Sequence, residues 1–159
     1  MVKRVFSAVL VIFGLIGPSL AIAAETSLTR VLFIGNSYLY YNDSLHNHVK
    51  RMASERFSGM ASRDFQYKSA TIGGARLQHH DIEWLLTPGN IGVDRPFQAV
   101  IMQGGSFEPL TADTREIFVD TATRYAEKVR AVGGKPFLYM THAYVCLLYT
   151  SPSPRDVVP

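Results

Sequence analysis

Four short stretches of this chain could carry chemistry: Gly35-Asn36-Ser37, Gly73-Gly74, the run from Gln103 to Ser106, and His142. A serine hydroxyl becomes a nucleophile when a base takes its proton and main-chain N–H groups receive the charge that develops on the substrate oxygen. Glycines suit the second task, because without a side chain a substrate oxygen can approach the main chain. Ser37 offers the hydroxyl, Gly73, Gly74 and the Gly104-Gly105 pair offer bare main chain, and His142 offers a titratable ring. Ordinary turns use the same small residues, so spacing alone leaves both readings open. A phosphate-binding loop is excluded, since neither GxxxxGK[ST] nor GxGxxG follows the first apolar run.

The other histidines carry less. His46-x-His48 and His79-His80 lack carboxylate or cysteine partners at zinc-site spacing, so no metal and no cofactor is expected. His46 and His48 read as solvated positions on a helix. His79 and His80 fall near the glycine pair, one of them able to line a pocket, but neighbours on a helix point in different directions. Tyr38, Tyr40, Tyr41 and Trp84 fit either packing or an aromatic platform for a sugar or acyl group.

What must position these residues is an alternation of strands and helices. Arg30 to Ile34 is a continuous apolar run, a buried strand. Asn42 and Asp43 are N-cap types, and Leu45, Val49, Met52, Ala53 and Phe57 follow at helical spacing as a buried face. Phe65, Tyr67, Ser69 and Thr71 alternate with polar neighbours as a second strand. Leu77 to Leu86 predicts a short helix stopped by Thr87-Pro88-Gly89. Phe97 to Gln103 is a third strand, and Ala112 to Val132 a long helix with Ile117, Phe118, Ala122, Tyr125, Val129 and Val132 along one stripe. Gly133-Gly134 stops it, and Lys135 to Thr141 is a fourth strand. Strands joined by helices predict an α/β domain with a parallel sheet covered on both faces. In such sheets ligands bind beyond the carboxyl ends of the strands, where all four chemical stretches fall.

The ends of the chain read differently. Met1 to Ala24 has Lys3 and Arg4, an apolar stretch from Val5 to Ile16, and Ala21-Ile22-Ala23 before Glu25, the layout of a secretory signal peptide. Secretion or a periplasmic location is therefore expected, with no stable membrane anchor after cleavage. Residues 146–156, CLLYTSPSPRD, resemble in one reading frame the transposase adaptor used to prepare sequencing libraries. Residues 146–159 are thus expected to be an artefactual tail, Cys146 included, leaving 25–145 as the domain. The 16 basic and 13 acidic residues give +3, which falls to +1 once Lys3 and Arg4 leave. With no basic run interleaved with aromatics, nucleic acid is not an expected partner.

RVLFIGNSYLYYND, TIGGARL and QGGSFEP together resemble the sequence blocks of the SGNH (GDSL-like) hydrolases over about residues 29–141. That resemblance implies a flavodoxin-like three-layer α/β/α fold, with its last strand and helix missing here, and an esterase or deacetylase activity. It makes Ser37 the nucleophile and an oxyanion donor through its own N–H, with Gly73, closely followed by Gly74, as a second donor. The third block of the family carries an asparagine that this chain lacks, and Gln103 could present an equivalent amide. Asn36, Tyr38, Ser106 and His142 are placed around the substrate. The family's base is a histidine in a C-terminal Asp-x-x-His block, and no such block follows residue 141. The resemblance thus implies an ester hydrolase acting on a small-molecule or carbohydrate ester, inactive as this truncated chain. A non-catalytic glycan-binding module on the same scaffold is the alternative.

Overall fold

The computed structural model describes residues 27–141. The signal-peptide reading, the tail reading and His142 lie outside them. Strand β1 (Arg30–Gly35) is buried along nearly its whole length, as a continuous apolar run requires in the middle of a parallel sheet. It pairs in parallel with β2 (Gln66–Thr71) on one side and with β3 (Ala99–Met102) on the other. Strand β4 (Lys135–Leu138) adds in parallel to β3, giving the order β2-β1-β3-β4. This is the flavodoxin-like order. The chain leaves β1 to one side and later returns to the other, so the loops after β1 and β3 part and open a crevice.

Alternate residues of the strands feed two helical layers. Val31, Phe33 and Ala99 pack with Leu39, and with Leu45 and Val49 of helix α2 (Leu45–Arg56), which follows the single turn α1 (Ser37–Tyr40). Leu32, Ile34, Val100 and Met102 face the opposite way. They meet Leu77, helix α3 (Ile82–Leu86) and helix α4 (Ala112–Ala131) through Ile82, Leu85, Leu86, Ala122, Tyr125 and Val129. The molecule is a three-layer α/β/α sandwich.

Helix α2 keeps most of its expected face, with Leu45, Val49, Ala53 and Phe57 half-buried, but Met52 is not part of it. His46 joins that inward side, also half-buried, while Met52 is 68% exposed. His46 is therefore not solvated: its ring lies 6.4 Å from that of Phe33. Asn42 and Asp43 are not the cap. With Ser44 they take positive φ values of 53°, 68° and 59°, and the helix starts only at Leu45. Asp43 instead pairs with Arg51 at 2.7 Å.

The predicted helix from Leu77 to Leu86 is broken in two. Asp81 accepts the Trp84 N–H at 3.0 Å, capping α3 and leaving Leu77–His79 as a 3₁₀ turn. On α4 the buried stripe is Phe118, Ala122, Tyr125 and Val129, with Ile117 and Val132 largely exposed. Past α4, Gly133 adopts φ 82°, the left-handed turn that lets the chain drop into β4. Strand β4 is shorter than expected and forms an edge of the sheet: Phe137, Leu138 and Met140 are exposed. Among the described residues no helix is long and apolar enough to cross a membrane.

At the end of β1, a Cβ on Gly35 would lie 2.6 Å from Gln103 Oε1 and 2.7 Å from Leu39 Cδ1, so only glycine fits. Gly35→Ala is expected to destabilise the fold by about 1–3 kcal/mol in urea denaturation. Gly59→Ala, where nothing lies within 4 Å, should leave the midpoint nearly unchanged.

Candidate functional site

The crevice is built on Asn36, the residue after β1. It is 4% exposed, in extended conformation, and every polar group it has is committed. Its Oδ1 accepts the Tyr38 N–H at 3.2 Å and so caps α1. Its Nδ2 donates to the Ala75 carbonyl at 3.0 Å and to the Gly104 carbonyl at 3.4 Å. Its N–H donates to Gln103 Oε1 at 3.1 Å. One buried side chain thus joins the loops that follow β1, β2 and β3.

Ser37 comes next, at the first position of α1. It is half-buried, and its Oγ has no hydrogen-bond partner among the described residues. It lines a cavity of ≈ 110 Å³ together with Tyr38, Gly74, Arg76, Gly105 and Ser106. Gly74 reaches that position through φ 69°. The main-chain N–H groups of Ser37, Gly74 and Ser106 donate to no described residue. The structure therefore brings together a free hydroxyl and uncommitted amide donors from three strand ends.

The remaining sequence candidates lie around this cavity. Gly73 is next to it, but a Cβ there would face Tyr40 Oη at 3.2 Å; Gly74 is the member of the pair that lines the cavity. Gln103 is fully buried beneath it, with Oε1 on the Asn36 N–H and Nε2 donating to the Gly104 carbonyl. Its amide serves the loops. Asn36 contributes to the cavity wall while its amide group is likewise engaged. Tyr40 and Tyr41 stack edge-on at 5.2 Å beside α1, and Trp84 is half-exposed on α3, away from the cavity. Two larger cavities, of ≈ 420 and ≈ 410 Å³, run along α4 and β4 and are mostly apolar. The small one holds the polar convergence.

Two residues near the cavity were not singled out from the sequence. Glu108 is 2% exposed; its Oε2 accepts the Gly105 N–H, and its Oε1 has no partner. Burial pushes its carboxyl up from the usual range, against the pull of the Gly105 N–H, Arg76, His79 and the Leu77 N–H. The signal available in the sequence was the spacing: an acid three residues after Gly105 can close the loop on that glycine's own N–H. Arg76 is half-buried in the cavity wall. Its main-chain N–H donates to His79 Nδ1 at 3.1 Å, and its guanidinium pairs with no described residue.

No described residue is bonded to the Ser37 hydroxyl as a base. His79 is exposed and held by Arg76. His80 is neither exposed nor in the cavity. It lies 6% exposed under the end of β1, with its carbonyl accepting the Tyr125 hydroxyl at 2.5 Å and its Nε2 without a partner. Burial lowers its pKa, only partly opposed by the Gly35 carbonyl. Among the described residues no cluster of His, Cys, Asp or Glu could hold a metal ion. No family model, no curated protein and no solved structure matches the chain significantly.

The depressed pKa of His80 fixes a sign. The folded state binds fewer protons than the unfolded chain, so stability is lost as pH falls below the unfolded value of 6.5 toward the folded one. His46, also lowered mainly by burial, acts in the same direction. Urea midpoints measured from about pH 7.5 down to about pH 5 should fall, and should fall less in His80→Gln, whose amide cannot acquire the charge. An unchanged slope in that variant would exclude His80 as the cause.

Proposed function

We propose that this chain carries the nucleophile of an exported SGNH-type serine hydrolase acting on esters. The observation that carries the reading is the free Ser37 hydroxyl, set in a polar cavity at the switch point of the sheet among uncommitted N–H donors. Ser37 Oγ attacks the ester carbonyl carbon, and the carbonyl electron pair moves onto oxygen. The N–H groups of Ser37 and Gly74 receive that charge, at positions fixed before substrate arrives. Ser106 N–H supplies the third donor, in the place where the family uses an asparagine side chain, because the Gln103 amide is already engaged. Collapse of the adduct expels the alcohol and leaves an acyl group on Ser37, which water then removes.

The proton of Ser37 passes to a base that the described residues do not supply. In an SGNH-type enzyme that base is the histidine of an Asp-x-x-His block, and no such block follows residue 141 in this sequence. Export and the small strand-end turns fit removal of acyl groups from a carbohydrate or small ester. A non-catalytic glycan-binding module is favoured by one observation: among the described residues no base contacts Ser37 Oγ.

Chemical labelling separates the two. A fluorophosphonate should label Ser37 in a chain that includes an Asp-x-x-His block, and Ser37→Ala should abolish the label. The 159-residue chain should hydrolyse nitrophenyl acetate no faster than its own Ser37→Ala variant. Absence of label on the longer chain would favour the binding module. Rapid Ser37-dependent turnover by the short one would overturn the account of the base.

A further inference from the structure

The cavity around Ser37 is one-sided in its chemistry. Of the described residues that line it, Arg76 alone carries a charge, and none is acidic. Its other polar offerings include the N–H groups of Ser37, Gly74 and Ser106, none of them spent. The position of Arg76 is set by packing. A Cβ on Gly105 would touch Arg76 Cγ at 3.1 Å and Cα at 3.6 Å, so the stem lies over the bare main chain of Gly105. Arg76 as a whole is half-buried, and its guanidinium pairs with no described residue.

Among the described residues the nearby carboxylate Glu108 feels this charge but forms no ion pair with Arg76 and does not line the cavity. Glu108 lies behind Gly105 with Oε2 on that residue's N–H, and its burial favours the uncharged form. His79, bonded to the Arg76 main chain, adds no negative charge. Arg76 lines this donor-bearing cavity, and a planar guanidinium matches the paired oxygens of a carboxylate or phosphate.

We propose that Arg76 makes this cavity an anion-recognition site, selecting substrates that carry a carboxylate or phosphate beside the reacting group. The words "substrate" and "reacting group" rest on the hydrolase reading; the anion site itself does not. A neutral ester would leave the guanidinium unpaired, whereas an acylated acidic sugar or another acidic ester would pair with it as the ester carbonyl meets the amide donors. Arg76 is thus a specificity residue rather than a member of the proton-transfer machinery.

The test uses the 159-residue chain and inorganic phosphate as the probe, titrated by ³¹P NMR at low ionic strength, where such contacts are least screened. Saturable binding is expected, weakened at least about tenfold by Arg76→Gln, partly restored by Arg76→Lys, and unchanged by Arg115→Gln, which removes a positive charge elsewhere. Acetate should displace the phosphate and neutral acetamide should not. Urea denaturation of Arg76→Gln should match the parent, so that lost binding is not lost folding. Equal binding by Arg76→Gln, displacement by acetamide, or no saturable binding by the parent chain would overturn the proposal. Phosphate binding that depends on Arg76 but survives in Ser37→Ala supports it. If fluorophosphonate labelling of the longer chain then fails, the hydrolase reading falls while the anion site stands. If labelling succeeds and Arg76→Gln still binds phosphate normally, only the anion site falls.

Discussion

Two buried primary amides hold the strand ends of this molecule in register with one another. Asn36 and Gln103 sit at the point where the sheet divides, and between them they satisfy groups from the loops after β1, β2 and β3. Buried amides left unpaired are costly, so the network forms as a whole or not at all. Gly35 is part of the same constraint, since the Gln103 oxygen occupies the space its side chain would need. With these loops pinned from beneath, Ser37, Gly74 and Ser106 face one small cavity with their hydrogen-bonding groups unspent. Rigidity below the cavity is what leaves donors free within it.

Around that network the ionisable groups are arranged by burial more than by pairing. Glu108 and His80 are both almost wholly buried, each with one polar atom lacking a partner, and both are pushed toward their uncharged forms. Glu108 lies behind Gly105 and His80 beneath β1, neither in the cavity wall, so Arg76 is the charged side chain among the described residues that line it. The polarity there comes from oriented dipoles and one cation.

The sheet and its order of elements were legible because continuous apolar runs and glycine stops are strong local signals. Arg30 to Ile34 reads as a buried strand and is one, and of the run from Phe97 to Gln103 the part Ala99–Met102 is a strand, with the residues beyond Met102 turning instead into the amide network. Ser37 and Gly74 were legible as strand-end residues. Three features were not. Helix α2 lacks a fully buried residue, so Met52 and His46 compete for the inward row, and only the contact with Phe33 decides it in favour of the ring. The span from Leu77 to Leu86 has helical spacing, yet Asp81 captures the Trp84 N–H and starts a new helix. Glu108 and Arg76 gain their meaning from Gly105, a residue between them in space and remote from Arg76 in sequence. No periodicity reports such a meeting.

The setting of α2 has a dynamic consequence. A helix that grips the sheet only through half-buried side chains, one of them an imidazole, and that is entered through three left-handed residues, should detach at lower free energy than α4 with its buried Tyr125 and Val129. None of the bonds made by the Asn36 and Gln103 side chains runs to α2. One layer of the sandwich can therefore breathe, exchanging its amide hydrogens with solvent early, while the floor under Ser37 stays locked.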